Sequence, residues 1–380
     1  FLQRCYFRQT HDRYLKVEVY IAPPLTPILF LIGVAWNTTA LSNGFAIPIL
    51  HLQFLIGVLV LDTLVVAPFA YLRAIEKSQK FASIKLLNIL VYAGLNFLFL
   101  WLVPSFGWEV LEVFPNQKVN YIFLANIAAS VVTFVVLLPY WFSVPLHFDW
   151  QLFKKMFRYG FPIMIAGVAF VINENLDKLL LKKLLNEDIM GAYSGCYKLA
   201  VFMTLFIQAF RLGAEPFFFN HASDKKAPQT YAIILKYFVI VGAAFMLLIV
   251  IYIELLKTLL IRNESYWIAL EIVPIILLAN LFLGVYHNLS IWYKLTDRTR
   301  FGMYISLFGA VITIVFNLWL IPQIGFIASA WATLLAYGSM MILSYFLGKK
   351  YYPVPYPVLR MATYLTAATC LGAIHFYAFY

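Results

Sequence analysis

Charge is what this chain has least of. Asp, Glu, Lys and Arg make up 12% of its 380 residues, about half the share of an ordinary soluble domain. Cysteine is scarce too. The 3 present, Cys5, Cys196 and Cys370, stand too far apart for a zinc-ligand or disulfide pattern. Cys196 falls inside an apolar run and reads as a small packing residue. The 6 histidines are scattered, with no His-Glu-x-x-His element and no pair at helical spacing, so no metal site is expected. A Gly-x-x-x-x-Gly-Lys-[Ser/Thr] loop is also missing, so the chain does not itself bind ATP through a P-loop. Any active transport must draw its energy elsewhere.

What is there is apolar. Hydrophobic residues make up 63% and aromatics 18% of the chain. No soluble fold of this length hides so much apolar surface, so the solvent is a bilayer. A helix needs about 20 apolar residues to cross one. Eleven segments qualify: 17–36, 47–69, 84–104, 119–140, 160–181, 191–216, 231–252, 268–291, 302–321, 325–347 and 358–379. Their connections are short. The expected fold class is an all-α polytopic membrane protein with no soluble domain.

The net charge of +11 would suggest nucleic acid in a soluble protein, but its distribution says otherwise. Nineteen of the 28 Lys and Arg fall in alternate connections, around Arg4–Lys16, Arg73–Lys85, Lys154–Arg158, Lys225–Lys226, Lys294–Arg300 and Lys349–Arg360. The opposite set holds Lys118, Lys182, Lys183, Lys257 and Arg262. That alternation is the positive-inside rule, and it puts Phe1 on the cytoplasmic side. The basic excess is a topology signal, and no nucleic-acid partner is expected.

"WLVPSFG" at Trp101–Gly107 recurs as "WLIPQIG" at Trp319–Gly325, each with an asparagine upstream, Asn96 and Asn317. The two elements close the third and ninth segments. An even offset implies halves of like orientation, related by an axis along the membrane normal. The break between halves falls in 141–159, where Trp, Phe and Leu beside Lys154, Lys155 and Arg158 suggest a short amphipathic helix on the inner leaflet. The expected division is an N-terminal lobe at 1–145, a C-terminal lobe at 146–348 and an additional span at 349–380. Only four segments precede the break, so the chain reads as a piece of a longer protein with two further spans before Phe1.

One stretch breaks the apolar pattern. "VINENLDKLLLKK" (Val171–Lys183) places Asn173, Glu174, Asp177 and Lys178 inside segment 160–181. Glu174, Asp177 and Lys178 share a helical face by their i, i+3, i+4 spacing, and Glu174 lies about 21 Å above the inner end at 1.5 Å per residue. The next segment holds Lys198, Gln208, Arg211 and Glu215. Lys198 comes to a similar depth, so a Glu174–Lys198 contact across the hairpin is expected, with Glu174 free to exchange a proton as that partner moves. A charge at mid-membrane is costly and normally faces a partner or a water-filled cavity. The plainer readings are snorkelling for Asp177 and Lys178, and a local salt bridge one helical turn apart for Arg211 and Glu215. In the first half Asp62 is the acidic residue deepest inside a segment, a second candidate for ion coupling. Asn88 and Asn96 read as interhelical hydrogen-bonding residues. Pro48, Pro68, Pro139, Pro162, Pro216 and Pro274 read as helix starts, stops or kinks.

"FRYGFPIMIAGVAFVINENLDKLLLKKLL", followed by "GAYSGCYKLAVFMTLFIQAFRLGAEPFFF", resembles the seventh and eighth spans of the Wzx-type polysaccharide flippases. These form the oligosaccharidyl-lipid branch of the multidrug/oligosaccharidyl-lipid/polysaccharide (MOP, MATE-like) exporter superfamily. The resemblance implies a MATE-like fold of two parallel six-helix lobes around a central cavity. It implies a polyprenyl-pyrophosphate-linked oligosaccharide as substrate, an O-antigen or capsule/exopolysaccharide repeat unit, moved from inner to outer leaflet of a bacterial inner membrane. By the same resemblance Lys198 and Arg211 match basic positions that would meet the substrate, and Asp177 matches a seventh-span acid. From the residues alone, Gln208 and Asn173 join the substrate candidates, and Glu174 (by its depth in the membrane), Glu215 and Asp62 join Asp177 as candidates for ion coupling or charge pairing. No cofactor is implied beyond coupling to H⁺ or Na⁺. The partners implied are the lipid-linked glycan, membrane lipids and polysaccharide polymerase machinery. A cation-coupled multidrug antiporter of the same fold is the alternative, though it would want a chiefly acidic cavity. A membrane enzyme would want a long outer loop or a His/Asp constellation, and neither is present.

Overall fold

A computed structural model describes residues 48–74, 77–106, 118–142 and 150–379, and every regular element among them is helical. The chain divides into two compact units, Phe1–Phe157 and Arg158–Tyr380. In the first, α1 (Ile49–Ala74), α2 (Ser78–Phe97, extended by a π turn at Leu98–Leu102 and by Val103–Ser105) and α3 (Lys118–Phe142) pack on one another. Helix α4 (Trp150–Leu184) begins in the first unit and runs into the second. The second unit continues with α5 (Glu187–Asn220), α6 (Ala227–Ile251), the short α7 (Ile253–Leu260) and a 3₁₀ turn at Glu264–Ala269. It closes with α8 (Ile272–Leu289, continued by Ile291–Leu295), α9 (Thr299–Ile324), α10 (Ile327–Tyr351) and α11 (Val358–Phe379).

Eight of the described helices are long and apolar enough to cross a membrane: α1, extended α2, α3, α5, α6, continued α8, α9 and α10. The chain is a multi-pass membrane protein. Sequence segments 160–181 and 358–379 lie on α4 and α11, helices of 35 and 22 residues. Segment 17–36 lies outside the described residues.

The separate amphipathic helix expected at 141–159 does not form among the described residues. From Trp150 onward that stretch is the start of α4, which passes through Pro162 without a break. Proline removes one backbone donor, but spanning helices tolerate that where neighbours or water satisfy the freed carbonyl. Pro68, Pro139 and Pro216 likewise sit inside helices. Pro48 precedes α1 and Pro274 lies in the first turn of α8, as helix starts.

Lipid is as apolar as leucine, so spanning helices associate by close packing of small residues and by hydrogen bonds between helices. Helix α10 shows both. It packs along α8 and α9 and buries Ala328, Ser329, Ala330, Ala332, Thr333 and Ala336. The Ser329 hydroxyl donates to Asn317 Oδ1 of α9 at 2.7 Å. The core of the second unit runs through Leu199, Met203, Leu235, Ile276, Leu277 and Leu281, from α5, α6 and α8. In the first unit Asn88 Nδ2 donates to Thr133 Oγ1 at 2.8 Å, joining α2 to α3. Asn96 departs from expectation, since its amide turns to the Tyr92 carbonyl of its own helix.

Both Trp-Leu-x-Pro elements close a helix. Extended α2 ends at Ser105, and α9 ends at Ile324 before Gly325, whose φ of +69° favours glycine. Trp101 and Trp319 project outward, 58% and 60% exposed, as aromatic residues at a membrane interface do. Gly107 lies outside the described residues.

Candidate functional site

The polar residues of α4 meet α5 because the turn between them is tight. Helix α4 ends at Leu184, and Asn186 then accepts a bond from the Ile189 backbone N–H at 2.7 Å, capping α5. Glu187 and Asp188 add negative charge to its first turn, where the helix dipole favours it. This hairpin lays Asp177 against Tyr193 and Glu174 against Tyr197, two pairs one helical turn apart.

Each carboxylate is held by tyrosine. The Tyr193 hydroxyl donates to Asp177 Oδ2 at 2.9 Å, and that of Tyr197 to Glu174 Oε2 at 3.2 Å. Tyr337 of α10 donates a short bond to Glu174 Oε1. Lys178 folds back on its own helix. Its ammonium bonds the Glu174 carbonyl at 2.5 Å, lies 3.2 Å from Asp177 Oδ1, and sits 4.1 Å above the Tyr197 ring. Asp177 is 1% exposed, so the group does not snorkel away from the protein. Asn173 is also buried and accepts from the Thr313 hydroxyl of α9 at 2.8 Å. Asn173, Glu174 and Asp177 thus tie α4 to α5 through Tyr193 and Tyr197, to α9 through Thr313 and to α10 through Tyr337.

The expected Glu174–Lys198 contact is not formed. Among the described residues no ion pair engages Lys198, which is exposed one position beyond Tyr197. One residue is 100° of helix, so Tyr197 and Lys198 cannot both face α4. Instead Lys198, Val201, Leu205, Gln208 and Leu212 form an exposed stripe along α5 at spacings of three and four.

A second charged group lies near the C-terminal end of α5. Arg211 reaches Glu215 Oε1 through Nε at 3.3 Å and Nη2 at 3.1 Å. The local salt bridge read from their spacing therefore exists, and it is larger than a pair. Lys294, in the helical continuation of α8, binds the same Glu215 oxygen at 2.9 Å. Arg211 Nη1 lies 3.4 Å from His287 Nε2. In the first unit Ser130 of α3 donates to Asp62 of α1 at 2.8 Å.

These two groups differ in chemistry. The first sets two carboxylates, Asp177 buried and Glu174 half-buried, against tyrosine hydroxyls and the one ammonium of Lys178, and is suited to holding or releasing one small cation or proton. The second carries two cations against one carboxylate and is partly open, suited to an anion. Among the described residues no group of three His, Cys, Asp or Glu side chains is arranged to hold a metal ion. Tyr193, Tyr197, Tyr337, His287 and Lys294 are additions that only the structure makes. Tyr193 and Tyr197 do carry a sequence signal, an i, i+4 pair just across the turn from Asp177 and Glu174.

Comparison with known proteins bears on the family and the fold. The family model described as "Polysaccharide biosynthesis protein" matches residues 8–219, and the MatE model matches 162–319. No curated protein sequence is similar enough to count as a relative. Several solved structures share the fold. An outward-facing MATE family transporter of the MOP superfamily aligns with TM-score 0.70 at 12% identity, over 96% of this chain and 82% of that one. The lipid II flippase MurJ, in an inward closed conformation, aligns with TM-score 0.70 at 13% identity, over 98% and 80%. A MOP superfamily transporter from Pyrococcus furiosus, described as having a binding pocket of reverse polarity, aligns with TM-score 0.71 at 11% identity, over 96% and 82%. Such identities establish a shared fold and nothing finer. The match over 8–219 covers more than half of the chain, so the protein belongs to the polysaccharide biosynthesis protein family, with the all-helical fold of MOP superfamily transporters, and is not an enzyme.

Proposed function

We propose that this chain is a flippase that carries a polyprenyl-pyrophosphate-linked oligosaccharide, an O-antigen or capsule/exopolysaccharide repeat unit, from the inner to the outer leaflet. The observation that carries the reading is the partly open pair of cations, Arg211 and Lys294, in a spanning bundle of a polysaccharide biosynthesis family. A diphosphate sugar headgroup cannot cross about 30 Å of hydrocarbon alone. It needs fixed positive charge along a polar route, while its prenyl tail stays in lipid. Lys198 and Gln208, on the exposed stripe of α5, supply further polar contacts for it. The chain then works by alternating access of two lobes, 1–145 and 146–348, in a bacterial inner membrane with Phe1 cytoplasmic. The basic connections support that orientation. Direction comes from exchange of H⁺ or Na⁺ at Glu174, Asp177 and Asp62, or from removal of product by polysaccharide polymerase machinery.

The test is leaflet-resolved accumulation of lipid-linked repeat units in cells whose full-length protein carries Lys198→Ala or Arg211→Ala. The expected result is build-up in the inner leaflet. Undiminished outward movement in both variants removes these residues from the route.

A second reading, a cation-coupled multidrug antiporter, draws on the two tyrosine-bonded carboxylates Glu174 and Asp177. Export of organic cations that is abolished by Glu174→Gln, without any leaflet effect on glycans, would favour it.

A further inference from the structure

The group around Glu215 has an uneven arrangement. One carboxylate oxygen, Oε1, takes the bonds from Arg211 Nε, Arg211 Nη2 and Lys294 Nζ, at 3.3, 3.1 and 2.9 Å. The two cations come from different elements, α5 and the continuation of α8. They would repel each other if nothing negative lay between them. The three side chains are 36%, 35% and 21% exposed for Arg211, Glu215 and Lys294, so the group is not sealed inside the helix packing. One carboxylate against two cations leaves the group with a positive excess.

We propose that Glu215 is a built-in stand-in for the diphosphate of the substrate. It holds Arg211 and Lys294 together while the site is empty, and it is displaced when a diphosphate binds. This rests on the reading of the chain as a flippase of diphosphate-linked glycans. A diphosphate diester brings two negative charges and several oxygens, so it can bond both cations at once, as charge-assisted pairs. A carboxylate offers one charge and here uses one oxygen. The diphosphate therefore wins the exchange, whereas a monoanion has no advantage over Glu215 and is rejected.

Two consequences follow for transport. Glu215 keeps the cations preorganised, so little ordering is needed when the headgroup arrives. It also competes for the site at all times, which weakens binding and speeds release. A carrier needs that, because a bare pair of converged cations would retain a diphosphate. His287, 3.4 Å from Arg211 Nη1, helps hold the guanidinium in place while its carboxylate partner leaves.

The experiment is a titration of the full-length protein in lipid nanodiscs with inorganic pyrophosphate, and with orthophosphate as the weaker probe. Glu215→Gln is expected to bind pyrophosphate about tenfold tighter, equivalent to about 1.4 kcal/mol, and to gain less for orthophosphate. Lys294→Met is expected to bind about tenfold weaker, and Glu215→Asp to stay near the unaltered protein. Glu215→Ser repeats the test should Glu215→Gln fold poorly. Equal or weaker pyrophosphate binding after loss of the charge, with the unaltered protein still binding, overturns the stand-in role alone. Absence of pyrophosphate binding in both the unaltered and the charge-removed proteins overturns this inference and the flippase reading together. Tighter binding by Glu215→Gln without any leaflet effect in cells keeps the anion site and overturns only the flippase reading.

Discussion

Glu174 of α4 accepts a hydrogen bond from Tyr337 of α10, a residue 163 positions further along the chain. The other oxygen of the same carboxylate accepts from Tyr197 of α5 at 3.2 Å. One side chain thus joins three helices. Helix α4 also packs Leu181 and Phe170 into the apolar cores of the second unit. The clasp adds hydrogen bonds to that packing, and it would have to change if α4 moves during transport.

Tyr337→Phe removes one donor and leaves the half-buried carboxylate with fewer bonds. Hydrogen bonds to ionised groups contribute about 1.5–3 kcal/mol. The expected loss of stability is of that order for Tyr337→Phe. Thermal unfolding of the purified protein in detergent measures it. An unchanged midpoint in Tyr337→Phe would show that the clasp is dispensable.

Glu174→Gln keeps the size of the side chain and an acceptor for one tyrosine, but it cannot ionise. If Glu174 exchanges the coupling proton, the pH dependence of outward glycan movement should flatten in this variant. A profile identical in shape to that of the unaltered protein would remove Glu174 from proton coupling. Coupling would then rest on Asp62 or on product removal.

Lys198→Ala separates function from stability. Lys198 is exposed, and among the described residues no ion pair engages it, so stability should change by no more than about 0.5 kcal/mol. Outward movement of the lipid-linked unit should nevertheless fall by about tenfold. A drop in both together would mark a structural residue.

Gly284→Ala tests the packing of α8. A Cβ built there would stand 2.5 Å from Phe238 Cζ and 3.0 Å from Ile207 Cγ1. Overpacking of this kind costs about 1–3 kcal/mol. The unfolding midpoint should drop without a specific loss of diphosphate binding. A neutral result would mean that Phe238 moves aside more easily than its 2% exposure suggests.

The helices were readable because a bilayer imposes one simple rule, about 20 apolar residues without interruption. That rule located α1 to α3, α5, α6 and α8 to α11 within a few residues. It misjudged the stretch before Arg158, because Trp, Phe and Leu beside Lys154, Lys155 and Arg158 read as a separate amphipathic helix where the structure has the first turns of α4. The candidate site was readable in part. Glu174 and Asp177 stood out as charges inside an apolar run, and Arg211 with Glu215 as an i, i+4 pair. Their partners did not stand out. Tyr337 is one of 25 tyrosines, and nothing in its neighbourhood marks it. Lys294 was counted as a topology charge, since its position at the end of a span fitted that role.

Composition and the alternation of basic residues determined by themselves that this chain lives in a membrane as a bundle of helices, because hydrocarbon tolerates few other solutions. They also marked which short stretches carry charge where charge is expensive. The tertiary structure alone decided who partners whom. Glu174 turned to tyrosines and not to Lys198, since adjacent residues on a helix diverge by 100° and cannot both face the same neighbour. Lys294 joined Glu215 because α5 and α8 pack side by side, a contact between residues 79 positions apart that no local pattern encodes.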